Sequence, residues 1–261
     1  MKLSIIIPSV NDPYLQNTLD DIKQHAKSDY EIIVVNGRKI GMRSAINKGV
    51  AQSKGEYIIK TDEHCMFDEG FDIKLLSKIK DNWIVVPRRY NLDVEKWVIF
   101  DEPPVDYDRL VIDKLEKIGG VRWRQQAKER KNLLIDETMV FQGSCYLMSR
   151  KHWDWLGGLR TEGYGEFAQE AVELALKTWL GGGKVMVNKK TWYAHLHQDG
   201  NVKGYRYTRE EERHSYDIAA RYFVGDKGHY LHDFSWFVEK FMPMPSWPED
   251  WREKYDEYKK T

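Results

Sequence analysis

Four short apolar segments, separated by stretches with helical spacing, fill the first ninety residues and constrain the fold more than any other feature. They cover residues 3–7, 32–35, 57–60 and 83–86. Such continuous runs, rich in β-branched residues, are typical of strands that are buried on both faces. Strands that alternate with helices predict a parallel sheet with right-handed crossover helices. The chain is therefore expected to be an α/β protein whose first half is doubly wound.

Apolar residues at helical spacing lie between these segments. Leu15, Leu19 and Ile22 follow Asp12 and Pro13, which predict a helix N-cap and a first helical residue. Further helices are predicted over 42–52, 71–79 and 166–180, and further strands over 97–100, 140–149, 185–187 and 192–194. The pattern is weak over 87–139, which we expect to be an insertion on one face of the sheet.

Composition limits the possible functions. The chain has 261 residues, 41% of them hydrophobic, which is enough for one sizeable core. Lys+Arg and Asp+Glu number 41 each, so no overall charge attracts the protein to nucleic acid or to an anionic membrane. Cys65 and Cys145 lie by or in apolar segments and are expected to be buried, reduced thiols. No apolar run is long enough to cross a membrane, which predicts a soluble, cytoplasmic protein without a membrane partner.

Two potential metal ligands follow the third predicted strand. Asp62 and His64 come directly after the apolar segment 57–60. In open α/β sheets, ligands bind in the crevice at the carboxyl ends of the strands. A carboxylate and an imidazole there favour a divalent cation that holds a diphosphate. The alternative interpretation is an aspartate that caps a turn beside a half-buried histidine.

A third ligand has two candidates late in the chain. His195 and His197 end a strand-like segment, and the period of two puts them on the same side of a strand. One of them is sufficient to complete the site, and the sequence leaves open whether His197 replaces or assists His195. The alternative is a pair of histidines at the solvent-exposed edge of a surface strand.

A family resemblance extends over about three quarters of the chain. The segments that carry it are 5–9, 31–36, 43–51, 54–64, 143–144, 170–174, 182–183 and 194–195. In order and spacing they resemble glycosyltransferases of the GT-A fold, family 2-like, and the second half is most similar to polypeptide N-acetylgalactosaminyltransferases. The order of the segments is more specific than any one motif.

This resemblance implies a fold and a division of the chain. The fold is a GT-A (Rossmann-like) single domain, an α/β structure with a mostly parallel central sheet flanked by helices. Residues 1–198 would form this domain, with a nucleotide-binding half at 1–90 and a sugar and acceptor half at 139–198. Residues 199–261 would supply a lid loop and a helical, aromatic extension that packs on the core.

The resemblance also implies a donor and a cofactor. A UDP-sugar would be held through Mn²⁺ or Mg²⁺, with Asp62, His64 and His195 as the ligands. The metal ion would stabilise the charge that accumulates on the departing diphosphate. Glu170 corresponds to the glutamate beside the sugar and acceptor, and with Asp62 it is the expected catalytic residue. The expected donor contacts are Pro8, Ser9, Asn36, Arg43, Asp62, Gly143, Gln198 and Tyr205. The last two belong to a lid with Gly200 and Gly204 as hinges.

Two departures from the family pattern affect these expectations. Asn36 stands where many relatives have an acid that binds the nucleobase or ribose. This departure weakens the expectation that the nucleoside of the donor is uridine. Ala171 stands where inverting members have a base aspartate, so retention of configuration is expected, unless Glu170 itself acts as the base. Glu173 is a weaker candidate, because acidic residues in the first turn of a helix are favoured by its dipole.

The sequence says little about the acceptor hydroxyl, which could belong to a protein, a glycan or a modified DNA base, or about oligomeric state. Basic residues over 122–131 surround Trp123 and could bind a nucleic-acid backbone while the ring stacks on a base. A solvated amphipathic helix explains them equally well. A competing function is a sugar-nucleotide or glycan binding protein that has lost catalysis. A nucleotidyltransferase is disfavoured, because residues 9–12 lack a glycine-rich basic loop.

Overall fold

The chain begins with a strand and alternates strands and helices, as expected. The computed structural model describes residues 2–113, 117–165, 167–197, 208–225, 230–245 and 247–259. The first elements are β1 (Leu3–Ser9), α1 (Leu15–His25), β2 (Tyr30–Asn36), α2 (Gly41–Gln52), β3 (Tyr57–Thr61), β4 (Cys65–Phe67), α3 (Phe71–Leu76) and β5 (Trp83–Asp93). These bounds confirm the predicted strands, and β5 is longer than expected.

The remaining elements begin with the predicted insertion. They are β6 (Val98–Ile99), β7 (Asp108–Asp113), β8 (Lys117–Arg122), α4 (Arg124–Glu129), β9 (Ile135–Glu137), β10 (Cys145–Ser149), α5 (Arg150–Leu156), α6 (Glu170–Leu180), β11 (Lys184–His195), α7 (Arg209–Phe223), α8 (Phe234–Phe241) and α9 (Trp251–Tyr258). Strands β7 and β8 pair with each other as a separate two-stranded sheet. The segments predicted at 185–187 and 192–194 are one strand, β11.

Two helices begin later than the sequence predicted. Helix α1 starts at Leu15, because the Asp12 carboxylate accepts the backbone N–H of Tyr14 at 2.8 Å and forms a turn before the helix. Helix α6 starts at Glu170, because Ala168 and Gln169 have φ angles of 84° and 61°. A right-handed helix cannot include residues with positive φ. This late start places Glu170 in the first turn of α6.

The central sheet is mixed. Its strands follow the order β2-β1-β3-β10-β5-β11-β4, with β6 paired to β5 and β9 paired to β11. Strand β1 is parallel to β2 and β3, and β11 is parallel to β5. Strand β10 is antiparallel to both β3 and β5. The expected α/β architecture is confirmed, but β10 inserts an antiparallel strand between two parallel groups.

Strand β2 lies at the end of this order and pairs with β1. The sequence predicted that it is buried on both faces, and this is wrong. Val34 is 41% exposed, whereas Val35 is buried. A β-branched run predicts a strand, but it does not distinguish an edge strand from a central one.

Apolar side chains form one cluster on each side of the sheet. Neighbouring residues of β1 alternate between them, with Ile6 in one cluster and Ile5 and Ile7 in the other. The cluster of Ile6 also contains Phe237 and Trp251, so α8 and α9 share the core of the sheet.

Three smaller expectations can be compared with the structure. Cys65 and Cys145 are buried and form no disulfide, as predicted. Within the described ranges, none of the helices is both long and apolar enough to cross a membrane. Helix α3 ends at Leu76, so Ile79 lies beyond the helix that was predicted to contain it.

Candidate functional site

Strand pairing brings the three predicted metal ligands together. Asp62 follows β3, His64 lies in the turn between β3 and β4, and His195 ends β11. Strands β11 and β4 are antiparallel, with His195 opposite Cys65. The backbone N–H of Leu196 donates to the His64 carbonyl at 3.2 Å. The end of β11 is thereby fixed beside the turn that carries His64.

The ligand atoms of these residues face one another. The donor atoms of Asp62, His64 and His195 all lie within 4.8 Å of one another. The two imidazole Nε2 atoms are 3.1 Å apart, and His195 Nε2 is 3.2 Å from Asp62 Oδ2. Converging lone pairs repel unless a proton or a cation lies between them. One carboxylate oxygen and two imidazole nitrogens suit a divalent transition metal, so these residues fit the implied ion.

The protonation states of His195 and Asp62 also favour the binding of a cation. Burial lowers the pKa of His195 to about 3, which keeps its imidazole neutral. Burial raises the pKa of Asp62, but the Lys60 ammonium, together with His195 and His64, outweighs this effect and lowers the pKa below its ordinary value. A neutral imidazole and an ionised carboxylate are the forms that bind metals. His195 Nδ1 is buried without a hydrogen-bond partner among the described residues.

Asp12 orients His64, a role the sequence did not predict. Its Oδ2 atom is 3.0 Å from His64 Nδ1. Burial lowers the pKa of His64, but the hydrogen bond to Asp12 and the surrounding acids raise it above its usual value. When Nδ1 donates to the carboxylate, the Nε2 lone pair is directed at Asp62 and His195. The sequence pattern predicted only a helix cap at Asp12.

Glu63 points away from its two neighbours and holds the loop that contains Asp12. Its buried carboxylate accepts the backbone N–H of Val10 at 3.0 Å and of Asp12 at 3.3 Å. Burial raises its pKa. The turn after β3 and the loop after β1 are therefore tied together twice, once through Glu63 and once through His64.

Lys60 is a buried cation under the site, which was also not predicted. Its ammonium donates to Asp62 Oδ1 and, at 2.7 Å, to the Gly143 carbonyl. Glu170 Oε1 is 3.9 Å away. The sequence offered one signal, a lysine inside an otherwise apolar strand. Such residues are rarely buried without a partner.

Gly143 lies directly beneath Glu170. A Cβ atom at position 143 would overlap the Glu170 carboxylate. The side chain of Glu170, the expected catalytic residue, therefore fills the space next to this glycine, which was expected to contact the donor. Glu170 is buried at the start of α6 and shares Lys60 with Asp62.

Arg43 does not face an open donor site. Its guanidinium is 1% exposed, forms an ion pair with Glu173, donates to the Ala168 carbonyl at 2.9 Å and lies 4.1 Å above the Tyr164 ring. Lys177 also binds Glu173 at 2.6 Å. These contacts neutralise the fully buried Glu173, which requires a positive partner. The expected nucleotide contact of Arg43 stays a prediction.

Three further predicted donor contacts, Pro8, Ser9 and Asn36, lie at the carboxyl ends of β1 and β2. Pro8 and Ser9 are opposite Val35 and Asn36 in the parallel register. Asn36 is exposed, and its Oδ1 accepts the backbone N–H of Arg38 at 3.0 Å. Gln198 and Tyr205, with most of the predicted lid, lie outside the described residues.

His197 was predicted to share a strand with His195, but it lies beyond the end of that strand. Strand β11 ends at His195, and His197 lies beyond it with its ring edge against the His195 ring, 5.2 Å between centroids. The cluster of ligand atoms within the described ranges contains His195 and not His197. The structure thus favours His195 as the third ligand.

The basic run at 122–131 is a short surface helix, α4, with its flanking residues. Trp123 is 7% exposed, and its backbone N–H donates to the Tyr107 carbonyl at 2.8 Å. Arg130 binds Asp136 at 2.9 Å. A buried indole cannot stack on a nucleobase, so this surface fits the solvated helix better than the nucleic-acid interpretation.

Comparison with known proteins agrees with the geometry. Residues 37–156 match the model of the glycosyl transferase family 2. A Drosophila melanogaster protein named as a polypeptide N-acetylgalactosaminyltransferase is 26% identical over 162 residues, which are 58% of this chain and 27% of that protein. The chain thus spans about a quarter of the length of this relative.

Two solved structures share the fold. GalNAc-T7, crystallised with UDP, GalNAc and Mn²⁺, has a TM-score of 0.64 at 16% identity and is matched over 99% of this chain and 55% of its own. S. aureus TarS 1-349, crystallised with UDP-GlcNAc, has a TM-score of 0.53 at 11% identity over 80% of this chain and 62% of its own. These similarities show that the chain shares the GT-A fold, and residues 37–156, a little under half of the chain, resemble the glycosyl transferase family 2.

Proposed function

We propose that this protein transfers a sugar from a UDP-sugar to a hydroxyl acceptor and requires Mn²⁺ or Mg²⁺. The observation that carries the proposal is the convergence of Asp62, His64 and His195 on one point at the carboxyl ends of the strands. The solved relatives support the choice of donor, since one was crystallised with UDP, GalNAc and Mn²⁺ and the other with UDP-GlcNAc.

Each part of the site has a role in this reaction. Asp62, His64 and His195 would hold the divalent ion, which when bound neutralises the charge that develops on the departing diphosphate. Ser9 and Asn36 lie at the same end of the sheet and would contact the nucleoside. Glu170, held over Gly143, would lie beside the sugar and the incoming hydroxyl.

The carboxylates near Glu170 support retention of configuration. Inversion requires a general base on the acceptor hydroxyl. Ala171 offers no carboxylate, and Glu173 is fully buried between Arg43 and Lys177. Among the described residues of α6, this leaves the Glu170 carboxylate beside the proposed metal ligands. It forms an ion pair with Lys60. We therefore propose retention.

Donor turnover tests the proposal directly. The protein is incubated with a panel of UDP-sugars, with Mn²⁺ or with a chelator, and the released UDP is measured. We expect release with Mn²⁺, little in chelator, and a loss of at least about a hundredfold in Asp62→Asn and His64→Ala with unchanged circular dichroism. The exposed Asp20→Asn is the matched control. Equal release in chelator and in the site variants would contradict the proposal.

The acceptor is tested with the same donor. Peptides, glycans and hydroxymethylated DNA are offered with a labelled UDP-sugar, and NMR of the product gives the anomeric configuration. Retention predicts the configuration of the donor, and an inverted product would assign Glu170 the role of base. Tight donor binding without turnover on any acceptor or on water would favour the catalytically inactive, sugar-nucleotide binding alternative.

A further inference from the structure

The two oxygen atoms of the Asp62 carboxylate face different positively charged or metal-binding groups. Its Oδ1 atom receives the Lys60 ammonium, and its Oδ2 atom lies 3.2 Å from His195 Nε2, on the side of the proposed metal. Lys60 is fully buried on β3, and its second hydrogen bond to the Gly143 carbonyl fixes the ammonium in place. Asp62 therefore has a resident positive charge before any divalent ion binds.

We propose that Lys60 makes metal binding depend on the donor: the ion alone binds weakly, and the ion together with the nucleotide diphosphate binds tightly. This inference rests on the proposed function, because it assumes that Asp62, His64 and His195 are metal ligands. It assigns to Lys60 a positioning role that acts through Asp62.

Electrostatics gives the reason for the weak binding of the ion alone. Three acids around the ligands face three cations: Asp62 and Glu170 share Lys60, and Glu173 binds Arg43 and Lys177. Glu63 is held by the backbone N–H groups of Val10 and Asp12 and is directed at that loop. Asp12 adds a negative charge, but it lies behind the His64 ring and is hydrogen-bonded to it. A divalent ion would therefore enter against the repulsion of a fixed ammonium in a region of low dielectric.

The diphosphate of a donor would remove this penalty. Its negative charges compensate the ion and Lys60 together, so that the ion and the diphosphate stabilise each other. Such coupling is reciprocal, because the ion must raise the affinity for the nucleotide by the same factor as the nucleotide raises the affinity for the ion. A neutral residue at position 60 would leave Asp62 unmatched and would strengthen the binding of the ion alone.

Calorimetric titration of Mn²⁺, with and without saturating UDP, tests this without any turnover. For the wild type we expect UDP to tighten Mn²⁺ binding at least tenfold. Lys60→Gln keeps a hydrogen-bond donor without the charge, and Lys60→Met removes both. In each variant that folds, we expect Mn²⁺ alone to bind at least tenfold more tightly and the effect of UDP to shrink correspondingly. Lys189→Met is the control, since Lys189 is buried against Tyr107 and Arg130.

The outcomes separate this inference from the proposed function. A wild type that binds Mn²⁺ equally well with and without UDP overturns the role of Lys60 and needs no variant. Lys60 variants whose Mn²⁺ affinity is unchanged or weaker would also overturn the role of Lys60. Metal-dependent turnover by the wild type would still support the proposed function in that case. A wild type that binds no Mn²⁺ even with UDP would contradict the proposed metal site and this inference together.

Discussion

Asp12 Oδ2 lies 3.0 Å from His64 Nδ1, which connects the loop after the first strand to a candidate metal ligand that follows the third strand. The same loop is held from the other side by Glu63, through the backbone N–H groups of Val10 and Asp12. The orientation of the His64 ring is therefore determined by contacts outside the group of ligands.

Asp12→Asn is predicted to weaken metal binding without unfolding the protein. An amide presents one acceptor oxygen, which cannot serve both the backbone N–H of Tyr14 and the Nδ1–H of His64. Loss of such a supporting hydrogen bond typically costs 10- to 100-fold in metal affinity, and we expect a loss of about this size. Mn²⁺ titration in the presence of UDP measures it. Asp20→Asn, on the exposed face of α1, should bind as the wild type does.

Gly143→Ala is predicted to abolish most activity through Glu170. The new methyl group would overlap the Glu170 carboxylate and force it away from Lys60. A displacement of about 1 Å at a reacting centre can cost on the order of a hundredfold in rate. We expect kcat to fall by about that factor, as measured by UDP release. Gly120→Ala is the control, because a methyl group there would meet its neighbours at ordinary distances of 3.8–3.9 Å. Equal kcat in both variants would show that Glu170 tolerates the change.

Arg43→Met is predicted to act on stability. It leaves Glu173 with Lys177 alone and removes the hydrogen bond to the Ala168 carbonyl before α6. Breaking a buried ion pair typically costs about 3–5 kcal/mol, and we expect a loss in that range from denaturant unfolding. Arg252→Met removes an exposed pair with Glu239 and should cost less than about 1 kcal/mol. Normal stability of the variant together with a raised KM for the donor would instead support the nucleotide contact of Arg43 that the sequence predicts.

His152 is predicted to make stability depend on pH. It is buried at the start of α5, its Nε2 is 2.9 Å from Thr178 Oγ1, and burial lowers its pKa to about 4 from the ordinary value of 6.5. Between these values the unfolded chain binds the proton more strongly, so the free energy of unfolding falls as the pH is lowered through this range. From pH 7 to pH 5 this residue should contribute a loss of about 2 kcal/mol.

The His152→Gln variant isolates this contribution. Glutamine keeps a hydrogen-bonding group near Thr178 and does not titrate. Denaturant unfolding at both pH values should therefore show a smaller decrease in the variant than in the wild type. Equal decreases would mean that the imidazole is not held in its neutral form.

Much of the fold could be predicted from the hydrophobic pattern, but strand direction and edge position could not. Runs of β-branched residues located β1, β2, β3 and β5. The same pattern gave no indication that β10 is antiparallel, because direction depends on distant connections. It also predicted a buried β2, although an edge strand can be equally rich in β-branched residues.

The candidate site shows a similar division. Asp62, His64 and His195 were expected from the resemblance, and the structure brings them together. The supporting groups were missed, because Lys60, Asp12 and Glu63 act through contacts between distant segments. Local rules predicted Asp12 to be a helix cap, which is wrong because α1 begins at Leu15 without a side-chain cap, and they predicted no role for Lys60. A charged residue in an inner strand is the signal to look for.

The pairing of β11 with β4 has a consequence for biosynthesis. A nascent chain that has emerged from the ribosome only as far as β5 carries Asp62 and His64 but lacks the histidine at position 195. If the proposed cation needs all three side chains, it would not assist early folding, and a protein truncated before β11 should show no metal-dependent gain in melting temperature.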